Sequence, residues 1–227
     1  MSGTAASDPA QSVAERLAGI RRRIERAGAD PAEVAILAVT KGFGPEVLDR
    51  ALAAGLSDVG ENYAQELLAK ADGSSRPLRW HFIGRLQRNK IRMLAPLVHL
   101  WQSVDRVEVG SEIARHAPGA AVLVQVDVAG EPQQGGCPPE KVPGLVAELA
   151  GLGLDVRGLM AIGPIGDAEA SRAGFRRVAQ LADDLHLELR SMGMSADLDV
   201  AVSEGSNLLR IGTALFGSRP GRKGVQG

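Results

Sequence analysis

The chain has 227 residues, 44% of them hydrophobic, with a formal net charge of -1 and a single cysteine, Cys137. That length suits one large domain or two small ones, and a charge so near zero gives no long-range field for nucleic acid or an anionic membrane. One cysteine cannot build an internal disulfide framework. The first residues, Met1-Ser2-Gly3-Thr4-Ala5-Ala6-Ser7-Asp8, lack the basic start and apolar centre of a signal peptide. No apolar run approaches the length of a membrane span, so a cytoplasmic location is expected.

Residues 1–10 are small and polar and are expected to fray. From Gln11 to Ala27, Val13, Leu17, Ile20 and Ile24 recur at helical spacing, which predicts a leading amphipathic helix. Val34–Lys41 is almost continuously apolar, as in a strand buried on both faces. Pro45 opens a helix that runs to Ala54, with Gly55 placed to stop it. Further strands are expected at Asp58–Glu61, Trp80–Gly84, Leu100–Val104, Ala121–Val128, Val156–Ile162, Ser191–Ser195 and Leu208–Leu215. Helical stretches fall between them at Tyr63–Ala71, Asn89–Leu97, Arg106–His116, Pro139–Leu152, Ala168–Leu189 and Ala196–Ser203. Eight strands alternating with helices predict an α/β fold, a single (β/α)8 TIM-like barrel over residues 11–217 with an extra N-terminal helix. The Gly-rich, basic tail 218–227 is expected to be mobile, and the basic runs Arg21-Arg22-Arg23 and Arg85 to Arg92 read as solvated helix faces.

The end of the last strand carries the most chemistry. Barrels of this kind build phosphate sites from the loops after their last two strands. Gly212 lets backbone N–H groups approach a phosphate closely, Thr213 adds a hydroxyl, and Ser195 offers a second hydroxyl at the preceding strand end. At the tip of the first strand, alternation puts Leu37, Val39 and Lys41 on one face. Lys41 then either reaches the barrel mouth, where desolvation frees its nucleophilic form, or stays solvated at the loop Gly42-Phe43-Gly44. A phosphate cradle opposite a strand-end lysine suggests a phosphorylated aldehyde held as a Schiff base.

Arg210 shares a face with Leu208 and Gly212. It reads either as a donor to a pyridine nitrogen, weakening such a cofactor as an electron sink, or as the partner of a carboxylate such as Glu61 or Glu204. Asn62 leaves strand two as a polar contact at the mouth. His81 and Met160 are candidates for the pocket wall, with ordinary barrel packing as the other reading. Four scattered histidines give no zinc spacing, and no Gly-x-Gly-x-x-Gly or Walker pattern occurs.

Seven segments in order resemble one known family. They are Ala38-Val39-Thr40-Lys41, Gly60-Glu61-Asn62-Tyr63, Trp80-His81-Phe82-Ile83-Gly84, Leu86-Gln87-Arg88-Asn89-Lys90, Arg157-Gly158-Leu159-Met160-Ala161-Ile162, Gly193-Met194-Ser195 and Arg210-Ile211-Gly212-Thr213-Ala214-Leu215-Phe216-Gly217. From Val34 to Gly217 the chain resembles the pyridoxal phosphate homeostasis proteins, the YggS/PROSC type. The loop Gly42-Phe43-Gly44 and Asn207 fit that pattern more loosely.

The resemblance implies a barrel like the N-terminal domain of alanine racemases, with pyridoxal 5'-phosphate (PLP) joined to Lys41. It further implies that Ser195, Gly212 and Thr213 hold the phosphate, that Arg210 faces the pyridine nitrogen and that Asn62 touches the cofactor. The implied role is to hold PLP, limit free aldehyde and pass the cofactor to PLP-dependent enzymes, as a monomer and without efficient catalysis. Two enzymes are the rival readings. A racemase of this fold needs a second acid/base, and this chain has one tyrosine, Tyr63. A class I aldolase needs a proton relay beside its lysine.

Overall fold

Strands that are apolar on both faces have two surfaces to bury, and a closed parallel barrel wrapped in helices buries both. The computed structural model describes residues 12–72, 76–131 and 133–219. Its strands are β1 (Ala35–Val39), β2 (Asp58–Glu61), β3 (Arg79–Phe82), β4 (Val98–Val104), β5 (Ala121–Val126), β6 (Asp155–Ala161), β7 (Leu189–Ser191) and β8 (Leu208–Ile211). They pair in sequence order, and β8 closes on β1, so the expected eight-stranded barrel is the fold.

The helices are α1 (Val13–Arg26), α2 (Glu46–Ala53), α3 (Ala64–Ala71), α4 (Arg88–Leu94), α5 (Val107–His116), α6 (Val142–Gly151), α7 (Arg172–Asp184), α8 (Leu198–Ser203) and α9 (Thr213–Phe216). Ser12 starts α1 with a capping box. Its hydroxyl accepts from the Glu15 N–H, and the Glu15 carboxylate accepts from the Ser12 N–H. Val13, Leu17, Ile20 and Ile24 are buried, as the helical spacing requires. Inside the barrel Leu37, Val39, Leu100, Leu123, Met160 and Leu208 form one apolar cluster. Outward-facing Ala38, Val59, Phe82, Trp101, Val124 and Leu209 join the larger cluster beneath the helices.

Of the boundaries that differ from expectation, three bear on the strand ends around Lys41, Ser195 and Thr213. β1 stops at Val39, so Thr40 and Lys41 lie just beyond it. β7 covers 189–191 rather than 191–195, because Leu189 and Ser191 pair with Gly158 and Met160 and the chain then turns at Gly193, where φ is +86°. Only glycine adopts that backbone freely. β8 ends at Ile211, and the apolar run after Gly212 coils into α9 instead of extending. The expected frayed segment 1–10 and residues 220–227 of the expected mobile tail lie outside the described residues.

One polar cluster sits between barrel and helices. Glu61 is 0% exposed and Lys70, from α3, is 5% exposed. Lys70 Nζ donates to Glu61 Oε1 at 2.5 Å and to the Thr40 carbonyl at 2.7 Å, while the Thr40 hydroxyl donates to Glu61 Oε1 at 2.6 Å. Burial raises the Glu61 carboxyl, with the Lys70 and Thr40 hydrogen bonds opposing it. Removing one partner of a buried pair strands the other charge, whereas removing both costs far less. Lys70→Met is therefore expected to lower unfolding stability by about 3–5 kcal/mol, and Glu61→Gln with Lys70→Met to recover most of that loss. Urea unfolding of the two variants checks it, and equal losses would contradict it.

Candidate functional site

At the C-terminal ends of the strands, the turns after β1, β2, β7 and β8 enclose a cavity of about 260 Å³. Lys41, Asn62, Ser195, Arg210, Gly212 and Thr213 all line it, beside Met194 and Arg219. The structure thus brings these six sequence-selected residues together. His81 and Met160 are not among the lining residues. Met160 belongs to the apolar cluster inside the barrel, and His81 is buried in a hydrogen-bonded chain.

Lys41 is held from outside the barrel. The Thr40 carbonyl accepts from Lys70, and the Gly42 N–H donates to Glu66 Oε2 at 2.7 Å, so α3 pins the peptides on both sides of it. Partial burial lowers the Lys41 amine below the usual lysine range, and the charges of Arg219 and Arg210 push it further down. Gly42 has φ +75°, and a Cβ there would lie 2.9 Å from Arg219 Cδ, so a glycine leaves room for the arginine stem.

Arg210 is 4% exposed and, among the described residues, forms no ion pair with a carboxylate, Asp197 acting on it only through space. Its guanidinium donates to the Ser191 carbonyl at 2.6 Å, to Ser191 Oγ at 2.8 Å and to the Ala161 carbonyl at 2.7 Å. The carboxylates considered for it are committed elsewhere, Glu61 to Lys70 and Glu204 to Arg172 and Arg176. Burial pushes Arg210 down to about 10, which leaves it charged at neutral pH.

From Arg210 a chain of donors runs through the barrel in one direction. Ser191 Oγ donates to Gln102 Oε1 at 2.7 Å, and Gln102 Nε2 meets His81 Nδ1 at 2.8 Å. His81 Nε2 lies 3.1 Å from Asp58 Oδ1. Burial alone would raise Asp58, but hydrogen bonds from Arg79 and His81 outweigh it and hold the carboxyl well below the usual range. An ionised Asp58 can only accept, so His81 carries its proton on Nε2 and offers Nδ1 to the Gln102 amide. Every member of the chain is thereby oriented, and Arg210 with it.

The facing turns are tied to one another. Ser195 Oγ accepts from the Ala214 N–H at 3.1 Å, joining the turn after β7 to the start of α9. Arg23 donates to the Ser195 carbonyl at 3.1 Å and pairs with Asp199, so this residue is a brace from α1 rather than part of a solvated face. Asp197 Oδ1 accepts from the Met194 N–H at 2.6 Å. Arg219 was not selected from the sequence, because it follows the last periodic element and only its charge sets it apart.

Among the described residues the lining holds three cations, Lys41, Arg210 and Arg219, and no carboxylate. A buried cation without a counter-charge is costly, so this lining favours an anionic occupant. Hydroxyl and backbone donors at Ser195, Gly212 and Thr213 suit a phosphate, and the amine of Lys41 suits an aldehyde. The donor set and the cavity size fit PLP.

Comparison with known proteins agrees with this reading. The family model for the alanine racemase N-terminal domain matches residues 13–220. A pyridoxal phosphate homeostasis protein from Pseudomonas aeruginosa is 44% identical over 92% of this chain and 95% of its own length. One from Aquifex aeolicus is 39% identical over 90% of this chain and 97% of its own. The structure of PipY from Synechococcus elongatus with PLP bound superposes with a TM-score of 0.79 at 32% identity, covering 91% of this chain and all of that one. The chain therefore belongs to the pyridoxal phosphate homeostasis protein family, within the wider family of alanine racemase N-terminal domains.

Proposed function

We propose that this protein binds PLP covalently at Lys41 and serves intracellular PLP homeostasis in the cytoplasm as a single chain, passing the cofactor to PLP-dependent enzymes without efficient turnover of its own. The observation that carries the reading is the cation-only lining around Lys41. The bound PLP of PipY and the names of the curated relatives support it.

When bound, the cofactor supplies an aldehyde that an amine can hold as an imine and a pyridine ring that can draw electrons. Lys41 provides that amine, made more nucleophilic at neutral pH by burial and by its cationic neighbours. Ser195, Gly212 and Thr213 bind the phosphate through neutral donors. Arg210 would donate to the pyridine nitrogen without protonating it near neutral pH, since its own pKa is about 10. Asn62 and Arg219 line the same cavity, where Asn62 would offer the cofactor a polar contact and Arg219 adds positive charge beside the lysine.

A holding role is favoured over racemisation by the same lining. Among the described residues the lining offers Lys41 as its one amine and holds no carboxylate, histidine or tyrosine, and Tyr63 lines a neighbouring cavity instead. Two-base proton transfer has no second base here.

Borohydride reduction of the PLP-loaded protein, followed by peptide mass analysis, is expected to place the adduct on Lys41 and to find none in Lys41→Ala. An adduct on Lys70 or Lys90 would contradict the assignment. Thr213→Val removes one phosphate donor and is expected to weaken cofactor retention by about 1–3 kcal/mol. Equilibrium dialysis reads this, and equal retention of PLP and unphosphorylated pyridoxal would show that no phosphate cradle exists.

Arg219→Gln tests the electrostatics at Lys41. Removing a positive neighbour lets the lysine pKa rise, so less free amine is present at pH 7. Loading, followed by visible absorbance, is expected to slow roughly a few-fold at pH 7, and its pH profile is expected to move to the alkaline side. An unmoved profile would remove Arg219 from the account.

A further inference from the structure

The hydrogen-bonded chain that ends on Arg210 has two fixed ends and one titratable member between them. Arg210 can only donate and stays charged at neutral pH, while Asp58, held well below the usual carboxylate range, can only accept. Ser191 and Gln102 do not titrate, which leaves His81. The charged and titratable groups around its ring are Asp58 on β2, Arg79 on β3 and His99 on β4, whose ring centroid lies 5.9 Å away. Arg157 on β6 adds its charge to the same group. Burial, then the charges of His81 and Arg79, hold His99 below the usual histidine range.

With one proton, on Nε2, His81 accepts from Gln102, and every bond in the chain points from Arg210 toward Asp58. A second proton, on Nδ1, sets two donors face to face at 2.8 Å. The Gln102 amide relieves this by turning over, with Oε1 toward the ring and Nε2 toward Ser191. Ser191 Oγ then meets two donors, the amide and Arg210, and its own hydrogen loses the acceptor it had in Gln102 Oε1. An unmade hydrogen bond inside the barrel is costly, and the added charge repels Arg210. We propose that His81 is a proton-dependent positioning residue for Arg210, acting through Gln102 and Ser191, so that a second proton on His81 and a firmly seated guanidinium oppose each other. The consequence for PLP rests on the reading of Arg210 as the partner of the cofactor ring, but the coupling inside the barrel does not. By linkage, a ligand that needs Arg210 in place lowers the proton affinity of His81. A plain field effect has the opposite sign, since an anionic ligand favours a protonated ring.

The test follows the His81 ring by proton–nitrogen NMR of the full chain, cofactor-free and PLP-loaded, from about pH 5 to pH 8. Its signals are assigned by their loss in His81→Asn. Loading is expected to move the His81 titration toward acid by about 0.5–1 pH unit, equivalent to about three- to tenfold weaker retention of PLP by the doubly protonated form. Gln102→Leu cuts the chain and is expected to abolish that movement. In cofactor-free protein, Ser191→Ala removes the stranded hydroxyl without changing any charge. It is expected to move the His81 titration toward alkali by roughly half a pH unit. Visible absorbance shows whether PLP has loaded, so a failure of the Lys41 reading is seen separately, and the cofactor-free arm then decides alone. A His81 titration that loading leaves unmoved or shifts toward alkali would overturn the proposal. So would an acid shift that persists in Gln102→Leu, or a cofactor-free titration indifferent to Ser191→Ala.

Discussion

A guanidinium buried inside a barrel, held only by neutral oxygens, sets the terms for everything at this site. Arg210 has two carbonyls and a serine hydroxyl as acceptors and no carboxylate. Those bonds fix its geometry without an ion pair, Asp197 offsets its charge only through space, and Lys41 and Arg219 add positive charge to the same cavity. Replacing any of the neutral acceptors by a carboxylate would quench that field and remove the preference for an anionic ligand. The site is thus prepared electrostatically before any ligand arrives, which is the most effective way for a protein to favour a charged partner.

The surrounding fold supplies rigidity where the site needs it. α3 grips the peptides flanking Lys41 through Lys70 and Glu66, and α1 reaches across with Arg23 to hold the Ser195 turn. Arg210 is steadied from below by the Ser191–Gln102–His81–Asp58 chain. Each support comes from an element that contributes nothing to the cavity wall except through another residue. Substitutions at Gln102 or Lys70 would therefore reach the cofactor through geometry rather than contact.

Much of this was legible in the sequence because the informative signals are local. Strand-to-helix alternation predicted the barrel, and period-two alternation in β1 left Lys41 with two readings, at the mouth or solvated in the next loop. Gly212-Thr213 and Ser195 announced their chemistry by residue type at strand ends. What escaped was either too short or too distant. β7 is the three residues Leu189-Arg190-Ser191, which carry no periodic signature. The run Thr213–Phe216 is apolar enough to pass for strand, and only the turn at Gly212 makes it helical. Arg23 looks solvated until Asp199, 176 residues away, is placed beside it. Arg210 left two readings open for the same reason, since the commitments of Glu61 and Glu204 to other partners are properties of the folded chain.

The proposed loading of Lys41 requires this cation-lined mouth to hold a fully ionised phosphate. Phosphorus NMR of the PLP-loaded protein across the pH range in which a free phosphate monoester titrates, near about pH 6, tests it directly. Held by hydroxyl and backbone donors in a cavity whose charged lining residues are all cations, the phosphate should remain a dianion, and its chemical shift should stay constant from about pH 5 to pH 8. A shift that follows the titration of free PLP would contradict the account.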